Sequence, residues 1–93
     1  MTLTIAQAVE VALVELAKTW DADDGTLHVE ITLEDADDFM VNFGAREWIV
    51  DGNPAYILMG DVFAFVNKET GQLRRASALD DADARKLAIM TSV

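Results

Sequence analysis

The segment LHVEITLE, residues 27–34, decides the fold, because Leu27, Val29, Ile31 and Leu33 alternate with His28, Glu30, Thr32 and Glu34. Side chains two positions apart on a strand share a face, so this stretch predicts a strand with one buried and one wet side. Glu34 to Asp38 follows as a polar turn. Phe39, Val41 and Phe43 then alternate with Met40 and Asn42, predicting a second strand that pairs antiparallel with the first. Gly44 interrupts that pattern and suggests a bulge, beyond which the strand is expected to continue, bent, to about Val50.

On the N-terminal side, Ile5, Val9, Ala12, Leu13, Leu16 and Trp20 recur at helical spacing. Thr4 and Gln7 form the T-x-x-Q pattern of a capping box, and Asp21 to Gly25 supplies the stop. Val11 and Val14 lie off the main stripe, so the helix is expected to touch something on both flanks. On the C-terminal side, Asp51-Gly52-Asn53-Pro54 is a strong break, because Pro lacks a donor, Gly permits positive φ and Asn tolerates turn geometry. Val62 to Val66 predicts a covered third strand, Asn67 to Gly71 a hairpin turn, and Gln72 to Ala76 a fourth strand. From Asp81 to Leu87, acids precede bases as the helix dipole prefers, which predicts a short closing helix.

The expected fold is therefore α+β: an N-terminal helix on a curved antiparallel sheet of about four strands, with a short C-terminal helix. Ninety-three residues with 52% apolar content suit a single domain spanning 1–93. The chain has no cysteine, which excludes disulfides, thiolate metal sites and a cysteine nucleophile. No apolar run reaches the roughly 18 residues of a membrane span, and Met1 to Ile5 has no basic leader, so a cytoplasmic location is expected.

Seventeen acids against seven Lys and Arg give a net charge of −10, which disfavours nucleic acid and anionic membranes as ligands. The excess is concentrated in residues 1–45, which hold ten acids and only Lys18 as a base. Such asymmetry suits either a basic partner or a merely solvated surface.

Few residues combine into chemistry. Asp21 to Gly25 superficially suggests a calcium loop, but Gly falls fifth and Thr32 stands at the twelfth position, where that loop needs glutamate. The acids from Glu34 to Asp38 lack a His or Cys to complete a transition-metal site and read as a solvated turn. His28, the sole histidine, points the same way as Glu30, yet no serine or threonine sits in a nucleophile motif. No catalytic, cofactor or metal residue is assigned, and no cofactor is expected. Arg46 and Trp48, followed by the loop and Tyr56, are the residue types that anchor interfaces.

Residues 39–76 carry a resemblance: FMVNFGAREW (39–48), a glycine loop, Gly60, and the hairpin VNKETGQL (66–73). They resemble the immunity protein 35 (YrhB-like) family, whose members show an aromatic-rich strand, a G-N-x-P segment and a V/I-D-K-x-T/S-G-E-I hairpin. Here Asn67 replaces the Asp and Gln72 the Glu of that hairpin, and Gly60-Asp61-Val62-Phe63 keeps only the Gly of the middle motif. PepSY-like domains share the hairpin and the helix-then-sheet order. The resemblance implies a small bacterial protein that neutralises a toxin by direct binding, without chemistry of its own. The expected partner-binding residues are Arg46, Trp48, Asn53, Tyr56 and Asp61, with the acidic turns contributing. The alternative is a small-ligand-binding or PepSY-like regulatory module using a groove between the first helix and the sheet. A sheet with two edges also leaves room for a homodimer.

Overall fold

A computed structural model describes residues 2–57 and 63–93. Helix α1 (Ile5–Ala17) opens the chain, followed by strands β1 (Leu27–Glu34) and β2 (Asp38–Ala45). A single helical turn α2 (Arg46–Ile49) leads to a 3-10 turn at Pro54–Tyr56. Strands β3 (Phe63–Asn67) and β4 (Leu73–Ala76), helix α3 (Asp81–Ile89) and the two-residue strand β5 (Thr91–Ser92) complete it. The strands form one antiparallel sheet in the order β4-β3-β2-β1-β5. The α+β class and both flanking helices are as expected; the fifth strand was not foreseen.

Helix α1 begins where its capping box requires. The Gln7 amide donates to Thr4 Oγ1 at 3.1 Å and the Thr4 amide to Gln7 Oε1 at 2.9 Å, which satisfies two otherwise orphaned donors. Its buried stripe is Ala8, Ala12 and Leu16, packed on Val29, Val41, Phe43, Ala64 and Val66 of the sheet. Small residues at two of the three central positions let the helix axis lie close to the strands. Ile5 and Leu13, expected inside, are exposed, and so is Val14. Leu3 and Val11 instead lie beside Gly71 on the β3–β4 hairpin.

Two sequence expectations about the strands fail. The irregularity lies in β1, not at Gly44: Ile31 pairs with Val41 but Leu33 with Met40, leaving Thr32 as the extra residue of a bulge, while His28 pairs regularly with Gly44. A one-residue offset reverses the facing of everything beyond it, so Leu33 leaves the α1 side. It joins Met40, Phe65, Ala76 and Met90, with Leu87 and Phe63, in a second apolar cluster on the opposite face, to which α3 contributes Leu87. Nor does β2 run to Val50. The Arg46 amide makes a last rung to the Thr26 carbonyl at 2.8 Å, and the chain then turns into α2.

The acidic turn between β1 and β2 is not merely solvated. Lys86 of α3 bonds the carboxylates of both Asp35 and Asp38, the latter at 2.8 Å, and Lys68 bonds Glu34 at 2.7 Å while lying over the Phe39 ring. These side chains are mostly shielded, so the pairs are screened less than surface ones. Burial pushes the Asp35 carboxyl up, but the Lys86 bond and the amides of Asp38 and Asp37 outweigh it and hold the group below its ordinary value. Burial likewise opposes the Lys86 charge, and the two carboxylates raise it above its ordinary value. Asp83, buried at the start of α3, accepts from the Ser77 amide and pairs with Arg74 at 2.9 Å. The Ser77 amide foremost, with Arg74, lowers its carboxyl, against the opposing effect of burial. Together these pairs pin α3 to the turn and to β4.

Equilibrium denaturation distinguishes these contributions. Leu16→Ala is expected to cost about 2–5 kcal/mol and Thr4→Ala about 1 kcal/mol, with Val14→Ala within about 0.5 kcal/mol of the parent. Lys86→Met, which strands two carboxylates side by side, is expected to lower the denaturation midpoint more than the same change at Lys18, whose partner Glu15 is exposed.

Candidate functional site

Helix α1 covers one face of the sheet, and the second apolar cluster fills only part of the other. The rest of that second face carries His28, Glu30 and Asn42, since these alternate with the residues facing α1. His28 Nε2 lies 3.0 Å from Glu30 Oε1, and Asn42 Nδ2 donates to Thr32 Oγ1 at 2.8 Å. The segment 46–57 closes over the end of this strip. Between it and the sheet lies a cleft of about 230 Å³, whose described lining includes Glu30, Asn42 and Gly44 below and Trp48, Ile49 and Tyr56 around it.

Local bonds hold that segment rigidly. Glu47 Oε2 accepts from the Thr26 amide at 2.9 Å, and its Oε1 accepts from Thr26 Oγ1 at 2.8 Å. The Asn53 amide donates to the Glu47 carbonyl at 2.8 Å and the Gly52 amide to the Trp48 carbonyl at 3.0 Å. The Asn53 side chain accepts from the Ala55 amide at 3.1 Å and so caps the 3-10 turn that carries Tyr56. The approach to β1 is equally tight. Gly25 has φ +107°, and a Cβ there would stand 2.5 Å from Glu47 Oε2 and 2.9 Å from the Tyr56 ring. Only glycine accepts both that torsion and that proximity. Trp20 Nε1 donates to the Gly25 carbonyl at 2.8 Å, which ties the chain just beyond α1 to the same point.

The expected partner-binding residues divide among three roles. Trp48, 40% exposed, and half-buried Tyr56 meet at the cleft. Arg46 is exposed at the start of α2, outside the described lining, and Asn53 is occupied as a cap. Asp61 lies outside the described residues. Glu30, Asn42 and Glu47 were not anticipated: the first two reach the cleft only through strand register, and Glu47 acts through a threonine 21 positions away. Ile49, Val50 and Ile57 of the same connection are also exposed, with Val50 at 52%. Asp21, Asp23 and Asp24 border this end of the sheet through the loop leading into Gly25, and all three are exposed.

Asp21 caps a 3-10 turn at Ala22–Asp24, its side chain accepting from the Asp23 amide at 2.9 Å. Among the described residues no three His, Asp or Glu side chains converge as a metal-binding group, and no helix is long and apolar enough to cross a membrane. Compared with protein-family models, with curated proteins and with solved structures, the chain shows no significant match.

Hydrogen bonds from Thr26, chiefly its amide, hold the Glu47 carboxyl below its ordinary value. Asp35 and Asp83 are lowered too. The stability these three supply is complete above the ordinary carboxylate range and is lost as pH falls through their lowered values, where the native state must take up protons. The raised Lys86 supplies stability that is complete below its ordinary value and lost as pH climbs through the higher one. In a pH series of denaturation midpoints, the acid limb is expected to begin near about pH 4 and to be shallower in Glu47→Gln. Gly25→Ala is expected to destabilise the fold and to change Trp20 and Trp48 fluorescence, since it strains the positive φ and drives a Cβ against Glu47 and Tyr56.

Proposed function

We propose that this chain is a non-catalytic protein-binding domain whose contact surface is the Trp48–Tyr56 end of the sheet. The observation that carries this reading is an aromatic and aliphatic surface held by fixed bonds around a cleft with an acceptor floor. Trp48, Ile49, Val50 and Ile57 are exposed together on one anchored connection, whereas scattered single apolar residues would need no explanation. Pre-anchoring reduces the ordering cost on association.

Charge specifies the partner. Asp21, Asp23 and Asp24 are exposed on the loop leading into Gly25, which abuts Tyr56, and so give the apolar residues an acidic border on one side. Glu30 and the walls formed by Trp48 and Tyr56 suit a guanidinium or ammonium group, through an ion pair below and cation–π contact at the sides. A basic side chain from a protein partner is therefore the natural occupant. At about 230 Å³ the cleft is smaller than the roughly 300–1,000 Å³ usual for drug-sized ligands, which favours an inserted side chain over an enclosed metabolite.

The particular reading, an immunity protein that neutralises a toxin by stoichiometric binding, rests on the resemblance of residues 39–76 to the immunity protein 35 family. On this reading the protein works in the cytoplasm of a bacterium, its target carries a basic surface, and occlusion requires no bond to be made or broken.

The test is calorimetry against the purified products of neighbouring genes, with an arginine-rich peptide as a generic probe. Binding is expected to weaken with salt, to lose about 2 kcal/mol or more in Trp48→Ala, and to lose affinity in Glu30→Gln. Unchanged affinity in both Trp48→Ala and Tyr56→Ala would remove this surface from consideration, and substrate turnover abolished by His28→Ala would replace binding with catalysis.

A further inference from the structure

Strand β1 has one partner along its whole length and a second along only part of it. Strand β5 pairs with Leu33 and Glu34, and the Val93 amide reaches the Thr32 carbonyl at 3.3 Å. From Leu27 to Ile31 no described strand lies on that side. Which backbone groups face outward follows from the rung at Thr26, whose carbonyl accepts from the Arg46 amide of the β2 side. In an antiparallel ladder alternate residues bond to the same neighbour, so His28 and Glu30 bond toward β2 while the N–H and C=O groups of Leu27, Val29 and Ile31 point away. Gly25 turns the chain off at one end of this window and β5 closes the other. The window is thus five residues long and centred on Val29.

We infer that this edge pairs with the same edge of a second copy, in antiparallel register about Val29, to form a homodimer. In that register Leu27 lies opposite Ile31 of the partner and Val29 opposite its own counterpart, and the outward groups exchange about six backbone hydrogen bonds. His28 then stands opposite Glu30 of the partner, twice, in the non-bonded positions where side chains approach most closely. An axis at His28 would set His28 against itself and Glu30 against Thr26, and an axis at Glu30 would set Glu30 against itself and His28 against Thr32. The sequence of the window is therefore complementary to itself in one register only, which favours a second copy over an unrelated strand.

The helix layer supports the same axis. Because Val11 lies beside Gly71 on the β3–β4 hairpin, the opposite flank of α1 borders β1. That flank carries Ile5, Val9 and Leu13 in an i, i+4 row, with Ile5 46% and Leu13 38% exposed. A two-fold axis perpendicular to the sheet at Val29 places both α1 helices on the same face, so the two rows meet over the junction. The surface needed here shares Glu30 with the cleft but uses neither Trp48 nor Tyr56, so Trp48→Ala is expected to leave the dimer intact and the two readings fail separately.

Sedimentation and amide exchange test it, at about 0.15 M salt so that the like net charges are screened. The parent chain is expected to sediment as a dimer, with the amides of Leu27, Val29 and Ile31 gaining protection as concentration rises. H28E and E30H are each expected to dissociate, since each opposes like groups, while an equimolar mixture of the two restores complementarity and is expected to dimerise. A parent that stays monomeric to millimolar concentration overturns the inference, even if its edge takes up an added peptide. So does a dimer whose Leu27, Val29 and Ile31 amides exchange freely, or a mixture no more associated than its separate components.

Discussion

A single extra residue in β1 governs the architecture. By inserting Thr32 between Ile31 and Leu33, the strand turns its second half over and presents Leu33 to the face that its first half leaves polar. One sheet thereby acquires two cores. The larger, beneath α1, is the ordinary product of alternation; the smaller forms around Met40, Phe65, Ala76 and Met90 and gains Leu33 through the bulge. With Leu87 of α3 in that smaller core, Lys86 reaches the β1–β2 turn, and His28, Glu30 and Asn42 keep their polar strip at the other end. A regular β1 would have turned Leu33 out of that cluster.

What could be read from the sequence follows the range of the interactions involved. The start of α1 was legible because Thr4 and Gln7 are three residues apart and complete their bonds locally. The alternation of β1 and β2 and the Asn67–Gly71 hairpin were legible for the same reason. The bulge was not, since Thr32-Leu33 continues the alternation faultlessly and only the register with β2 exposes the slip. Ile49 and Val50 resemble a strand because both are apolar and β-branched, but the bond from Thr26 to Glu47 diverts the chain into a helical turn. Strand β5 has two residues and no pattern to detect; its pairing with Leu33 and Glu34 creates it.

The same distinction holds for charge. Glu34, Asp35 and Asp38 looked solvated because their cations stand far along the chain, 34 positions away for Lys68 and 51 for Lys86. Asp21, Asp23 and Asp24, by contrast, are exposed on the loop leading into Gly25, which abuts Tyr56. Trp48 and Tyr56 were identifiable by residue type, whereas Glu30 and Asn42 enter the cleft through register alone. Arg75, too, is committed internally, donating to Thr19 at 2.6 Å and lying over the Phe43 ring.

The junction at Gly25, Thr26 and Glu47 bears on sequence as well as on shape. Its parts are interdependent: the glycine leaves the space the carboxylate occupies, the threonine supplies the two donors that hold it, and the acid comes 21 positions later. The glycine is the most constrained member, because its positive φ would remain even if Glu47 were lost, whereas the acid depends on the donors at Thr26. A glycine–threonine pair followed at that interval by a glutamate is the trace this junction leaves in the sequence.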